Sequence, residues 1–276
     1  MDRIRLIASD MDATLLDEQS QLPADFEETI HALAELGIRF APASGRPLYT
    51  LEAMFPTLQD ELVFIGDNGG AIRWKGQNLF TSEMSPEGWR ALNRLTREQG
   101  DIAVLCGLES AYVERPFAVH DAVLRHFYTK IEYVDRLEDV TAPADKFTIY
   151  LPQHNAQQAY DTVYASQRSI YSVAVAGECW VDIMNPGVHK GAALQTLGQL
   201  WGLPPECMIA FGDTYNDAEM LRTAKYGFLM ENGSVPLRRN VPFLAPSNRE
   251  AGVMQVLHRV LAQNGCVCPE DFIPAH

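Results

Sequence analysis

The sequence predicts an α/β fold, a parallel-sheet core interrupted by an inserted α+β module of αββ-type units, and three observations carry that prediction. The first and last thirds alternate short β-rich runs with segments of helical periodicity, the rhythm of a parallel sheet with right-handed crossovers. Two αββ-like units fit the middle third instead, each centred on a helical segment followed by two strand-like runs. At 276 residues the chain exceeds the usual single-domain size, and with 47% hydrophobic and 21% charged residues it has ordinary globular composition with no low-complexity tract.

Taken in order, Ile4 to Ser9 reads as a strand, and Pro23 to Leu36 carries Phe26, Ile30, Leu33 and Leu36 at helical spacing before Gly37 stops it. Ile38 to Ala43 is the next strand, Pro47 opens a helix to about Phe55, and Leu62 to Ile65 is a third strand. Ala71 to Trp74 and Leu79-Phe80 read as a hairpin bridged by Lys75 to Asn78. From Glu83 to Asn185 the pattern gives helices at Pro86 to Gln99, Ala118 to Tyr128 and Ala156 to Ser166. The strands there are Ile102 to Leu105, Tyr112 to Glu114, Phe147 to Leu151, Ile170 to Val175 and Trp180 to Met184, with Lys130 to Asp145 unassigned. The parallel rhythm then resumes: a helix from Val188 to Trp201, a strand Met208 to Phe211, a helix Asn216 to Ala224, strands Tyr226 to Met230 and Phe243-Leu244, and a last helix Ala251 to Gln263. The expected division is a discontinuous core of residues 1–82 and 187–276 around an insert of residues 83–186.

A net charge of −14, from 22 basic and 36 acidic residues, repels a phosphate backbone, so neither nucleic acid nor an anionic membrane is expected as a partner. An anionic substrate then needs positive charge local to its site. The apolar runs are too short to span a bilayer and the N-terminal run is broken by Asp10, so a cytoplasmic location is expected. Five cysteines suit buried thiols in a reducing compartment. Cys266, Cys268 and His276 lack a fourth metal ligand, and the two cysteines read as tail thiols.

Chemistry concentrates at strand ends, where open α/β sheets place ligands. Asp10 and Asp12, two residues apart after the first strand, converge on one point if strand geometry continues; the bland alternative is an Asx turn. Asp213 and Asp217 stand in the same relation to the strand Met208 to Phe211, and each also suits a helix cap. Four acids at strand ends of one sheet repel one another, and a hard divalent cation with oxygen ligands, magnesium above all, removes that repulsion most simply. Lys190 in a first helical turn opposes the helix dipole unless an anion binds there; otherwise it is a solvated lysine. Ser44, Gly45 and Arg46 lie between a strand and a helix, where a hydroxyl and N–H groups can cradle a phosphoryl oxygen or Ser44 can act as a plain cap.

In this order, D-M-D-A-T at 10, S-G-R-P at 44, V-H-K-G at 188 and G-D-T-Y-N-D at 212 resemble the four motifs of the haloacid dehalogenase superfamily of phosphohydrolases. The insert between the second and third motifs resembles the cap of the Cof-type, sugar-phosphatase-like branch, whose core is Rossmann-like. Ile65 to Gly70 is similar to its N-G stretch and Asn216 to Leu221 to its fourth-motif helix. The resemblance implies a magnesium-dependent phosphatase acting on small phosphorylated metabolites such as sugar phosphates. Asp10 is then the nucleophile and Asp12 the general acid and base, with Ser44 and Lys190 neutralising phosphoryl oxygens. It places magnesium on the Asp10 carboxylate, the Asp12 backbone carbonyl and Asp213, with Asp217 orienting ligands or water. Gly45, Arg46, Asn68 and Asn216 are the expected substrate contacts in the core, and Glu178, Asp182 and Asn185 those of the cap. The alternatives are a sugar phosphomutase or a weakly catalytic phosphometabolite-binding protein. One departure is Ala13, where the family usually has glycine; alanine keeps the backbone N–H but loses freedom at positive φ.

Overall fold

The alternating apolar and amphipathic segments pair into two large sheets. The computed structural model describes residues 1–275. The chain opens with β1 (Asp2–Arg3), β2 (Leu6–Asp10), α1 (Phe26–Glu35), β3 (Arg39–Ala43), α2 (Leu48–Ala53), β4 (Val63–Gly66) and a hairpin of β5 (Ala71–Trp74) and β6 (Gln77–Thr81). The inserted stretch holds α3 (Pro86–Gln99), β7 (Ile102–Gly107), β8 (Ala111–Glu114), α4 (Asp121–Phe127), β9 (Ile131–Val134), β10 (Ala144–Tyr150), α5 (Ala156–Thr162), β11 (Ser172–Val175) and β12 (Trp180–Met184). The first sheet then resumes with α6 (Lys190–Trp201), β13 (Met208–Gly212), α7 (Ala218–Thr223), β14 (Tyr226–Met230), β15 (Phe243–Ala245), α8 (Gly252–Ala262), β16 (Cys266–Val267) and β17 (Ile273–Pro274).

The larger sheet has the order β17-β15-β14-β13-β2-β3-β4-β5-β6. Its strands from β15 through β4 run parallel, and β17, β5 and β6 join antiparallel. Central β2 is buried along its whole length, as a strand covered on both faces must be. One face packs Phe26, Phe40, Phe55, Phe64, Phe211 and Phe228 beneath α1, α2 and α8. The other packs Leu194, Leu197, Met208, Met220 and Leu221 beneath α6 and α7. In α1 the residues Phe26, Ile30 and Leu33 form one buried stripe, each such side chain contributing about 1.5–3 kcal/mol. Because β13, β2 and β3 are adjacent and parallel, their carboxyl ends deliver Asp213, Asp10 and Ser44 to one edge.

The second sheet, β11-β12-β10-β7-β8-β9, lies wholly within the insert and carries its own core around Trp89, Phe147 and Tyr164. Where the chain crosses between the sheets, the Asn185 amide donates to the carbonyls of Ser82 (3.2 Å) and Glu83 (2.8 Å), clasping the two connectors together. No helix among the described residues is long and apolar enough to cross a membrane.

Several elements differ from the sequence expectation for identifiable reasons. The hairpin turn is only Lys75-Gly76, both at positive φ (50° and 70°), so Gln77 and Asn78 belong to β6. The helix expected over Ala118 to Tyr128 begins as a 3-10 turn, Arg115–His120, and becomes α-helical only at Asp121. The helix expected to reach Ser166 breaks at Val163 (φ −125°, ψ −65°), where β-branched Thr162-Val163 weakens it and Tyr164 turns inward to bond Asp101 at 2.7 Å. The unassigned segment holds β9, paired parallel to β8. The short strands β1, β16 and β17 also went unforeseen, being two residues each and lacking any periodicity.

Candidate active site

Lys190, Asp10, Asp213 and Asp217 meet at the base of the site. Lys190, the first residue of α6, is not a solvated lysine: it is fully buried, and its Nζ lies 2.5 Å from Asp10 Oδ1 and 2.7 Å from Asp217 Oδ1. The other oxygen of Asp217 accepts the backbone N–H groups of Asp213 (3.0 Å) and Thr214 (3.2 Å), and the Thr214 hydroxyl donates to Asn216 Oδ1 at 2.6 Å. Asp217 therefore spends both oxygens holding the loop and the lysine. Asp10 Oδ2 accepts no hydrogen bond from the described residues, and the Asp213 carboxylate accepts none from another side chain among them.

Three carboxylates against one ammonium in a buried place set the electrostatics. Burial foremost, with Asp217 and Asp213 adding and Lys190 opposing, pushes Asp10 up to about 7. Burial and the neighbouring Asp217 push Asp213 up to about 6. Burial pulls Lys190 down, but Asp10 and Asp217 outweigh it and raise the lysine further. Oxygens of Asp10, Asp213 and Asp217 lie within 4.8 Å of one another. Hard oxygen donors, with Asp10 Oδ2 and the Asp213 carboxylate free of side-chain donors and both groups resisting ionisation, fit a magnesium ion.

After Asp10 the chain makes a π-type turn over Met11–Leu15, with Asp12 extended and Ala13 left-handed (φ 58°, ψ 8°). Alanine thus occupies the conformation that glycine would adopt without strain. The turn leaves the Asp12 side chain 58% exposed, and Arg46 Nη2 meets its Oδ1 at 2.9 Å.

The Ser44–Arg46 loop is held by its carbonyls. Asn68 N–H donates to Ser44 O and Asp67 N–H to Arg46 O, both at 2.9 Å, while Lys146 Nζ donates to Gly45 O at 2.6 Å. The Arg46 N–H donates to Ser44 Oγ at 3.1 Å, leaving the hydroxyl proton of Ser44 free, and the Gly45 N–H makes no hydrogen bond among the described residues. Asp67 and Asn68 make their contacts from left-handed conformations (φ 50° and 54°). Gly69, at φ 98°, passes so close to α6 that a Cβ would sit 2.6 Å from the His189 carbonyl.

A cavity of about 530 Å³ opens over this floor, roofed by the second sheet. Asp10, Asp12, Ser44, Gly45, Arg46, Asn68, Asp213 and Asn216 all line it, whereas Lys190 and Asp217 lie beneath the lining. Of the expected cap residues only Asp182 is present, bonded to Asn68 Nδ2 (3.2 Å) and Thr148 (2.7 Å). Glu178 instead pairs with His154 at the surface and Asn185 forms the clasp, so neither belongs to the site. Sequence reasoning missed Lys146 and Thr148 of β10 and the aromatic residues Phe127, Tyr128 and Trp180 on the roof. Lys146 could have been found as a lone cation inside an apolar strand. The five cysteines are free thiols, and His276 lies outside the described residues.

A family model described as haloacid dehalogenase-like hydrolase matches residues 7–257. The 5-amino-6-(5-phospho-D-ribitylamino)uracil phosphatase YbjI of Escherichia coli (strain K12) is 32% identical over 262 residues, 94% of this chain and 96% of the relative. The HMP-PP phosphatase of Cronobacter sakazakii (strain ATCC BAA-894) is 31% identical over 249 residues, 87% and 89% of the two chains. Among solved structures, SMU.1108c from Streptococcus mutans UA159 superposes with a TM-score of 0.83 at 29% identity, covering 94% of this chain and 99% of the other. With the fold, the motif order and these likenesses in agreement, the chain belongs to the haloacid dehalogenase-like hydrolase family, in its Cof-type branch, and is a phosphoric monoester hydrolase.

Proposed function

We propose that the protein hydrolyses a small phosphomonoester through a phosphoryl-aspartate at Asp10, and that the leaving group carries a flat heterocyclic ring on a polyol-like chain. The observation that carries this reading is a cavity whose floor converges Asp10, Asp12, Asp213, the Ser44 hydroxyl and the Gly45 N–H and whose roof is aromatic. Phe127 and Trp180 meet there edge to face, with ring centroids 5.0 Å apart and planes at 65°, so that a planar ring would stack on one of them. A likeness to a phosphatase whose named substrate joins a phosphoribityl chain to uracil supports the same class.

In this reading a carboxylate oxygen of Asp10 attacks phosphorus as the bond to the leaving oxygen breaks, and Asp12 gives that oxygen its proton. Water then attacks phosphorus while Asp12 takes up its proton, releasing inorganic phosphate and restoring Asp10. Lys190 fixes Asp10 through Oδ1 and leaves Oδ2 to react. The Ser44 hydroxyl and Gly45 N–H bind phosphoryl oxygens, and Arg46 holds Asp12. Magnesium, held by Asp10, Asp213 and the Asp12 carbonyl with Asp217 as their support, would supply positive charge between these carboxylates and the phosphoryl group. Residues 1–82 and 187–276 as core and 83–186 as cap belong to the same proposal, supported by the separate sheets.

The test compares phosphate release from 5-amino-6-(5-phospho-D-ribitylamino)uracil with that from ribitol 5-phosphate, in magnesium buffer. A kcat/KM at least about tenfold higher for the ring-bearing ester is expected, reduced by Trp180→Ala. Equal values would remove the ring from the proposal.

A further inference from the structure

We propose that Lys146, a residue of the inserted sheet, is a positioning residue for the Ser44–Arg46 loop, so that seating the cap completes the phosphoryl-binding site of the core. The inference rests on the reading that Ser44 and Gly45 bind the phosphoryl group.

The three successive carbonyls of this loop are each held by a donor, and their sources differ. The outer two bond the backbone of the Asp67–Gly69 turn, which belongs to the same sheet as the loop. The middle one, Gly45 O, bonds Lys146 Nζ, 101 residues away on β10. That carbonyl shares a peptide plane with the Arg46 N–H, which in turn holds Ser44 Oγ. Turning this plane would swing the N–H away from the hydroxyl and leave the Ser44 proton without a fixed direction. A single cap side chain thus controls where the core serine points.

The placement of Lys146 is built rather than incidental. β10 carries a bulge between Ala144 and Lys146 against β7, the kind of irregularity that re-aims a side chain beside a site. The lysine is 2% exposed, and beyond Gly45 it reaches Asp67 Oδ1 at 2.9 Å, with Asp182 Oδ2 at 3.7 Å. Burying an ammonium is costly, and apolar residues of similar volume would join the two sheets at least as stably. An ammonium serves where a strong donor must reach a particular carbonyl.

The experiment is a double-mutant cycle in the full chain with Lys146→Met, Ser44→Ala and the pair. It reads kcat/KM for the two esters named above and, by calorimetry, the Kd of inorganic phosphate in magnesium buffer. Lys146→Met is expected to lower kcat/KM about tenfold by the same factor for both esters and to weaken phosphate binding, with less than about threefold further loss when Ser44 is already alanine. Additive losses would overturn the proposal, and so would a changed ratio between the esters, since the lysine would then read the leaving group. If Lys146→Met does not fold, because Asp67 is left uncompensated, the cycle is run in an Asp67→Asn background with the same expected and overturning results. Phosphate affinity needs no turnover, so an inactive wild type would sink the hydrolase reading while the coupling is still decided by binding.

Discussion

Arg46 reaches back along the chain to hold Asp12, with Nη2 2.9 Å from Oδ1, and its Nη1 donates to Met54 Sδ at 3.1 Å. The guanidinium that the sequence offers as a substrate contact is thereby committed to the group proposed to carry the proton. Arg46→Met should lower kcat about ten- to a hundredfold, a fraction of what general acid–base catalysis supplies, with KM changed less than about threefold. A loss falling mainly on KM would return Arg46 to substrate binding.

Asp10→Asn should abolish turnover, because an amide is a poor nucleophile. The variant should still fold, since Lys190 keeps Asp217 as a partner at 2.7 Å. Retention of more than roughly a hundredth of the wild-type rate would be incompatible with covalent catalysis at this position.

The raised carboxylates make a signed prediction about pH. Asp10 stands at about 7 and Asp213 at about 6, against 3.8 as the ordinary value. Between about pH 4 and 7 the folded state therefore binds more protons than the unfolded chain at these two groups. Their contribution to stability falls as pH rises through that window and is level above it. In EDTA, the stability of Asp10→Asn relative to wild type should rise from about pH 4 to about pH 7 and then flatten, and magnesium should diminish the difference. Urea unfolding across this range checks it; a difference independent of pH would refute the assignment.

Ala13→Gly should stabilise the fold. Alanine at φ 58° carries a left-handed penalty of about 1–2 kcal/mol, and the greater unfolded-state freedom of glycine returns about 0.5–1. A net gain of about 0.5–1 kcal/mol in urea is expected, with kcat raised or unchanged. A loss of stability would mean that the turn is unstrained with alanine.

Asp10, Asp213 and Ser44 were legible because strand periodicity places each at or just past the carboxyl end of a strand; that the three strands are neighbours is a property of the sheet order. Helix α3 was legible to the residue, since Ser85 caps it through the Gly88 N–H and Gly100 ends it in the left-handed conformation. What escaped depends on contacts distant in sequence. Lys190 was legible as a functional cation through the motif order, but its burial beneath the lining, paired with Asp10 and Asp217 and not lining the cavity beside a phosphoryl group, was not, because nothing local reveals those partners. Lys146 sat at the edge of an unassigned segment, and its partner Gly45 is a carbonyl, which no side-chain pattern can announce. Glu178 and Asn185 misled because polarity near a strand end does not distinguish a rim, a hinge and a site.

The close approach of Gly69 to the His189 carbonyl has a consequence for how such an enzyme can change. The turn at 67–69 bears no reacting group, yet it touches both the loop that would bind phosphate and the start of the helix that carries Lys190. A side chain at position 69 would disturb both at once, so the chemical centre tolerates little drift even at residues that do no chemistry. The roof residues Ala174 to Gly177, by contrast, lie on β11 and the loop after it, at the edge of the other sheet, and are partly exposed. Substitution at Ala174 or Ala176, which hold no positive φ, costs little stability and alters what the cavity admits, whereas Gly177 at φ 86° is less free to change. Inheritance can therefore revise the preferred ester in small, survivable steps while the hydrolytic apparatus stays locked.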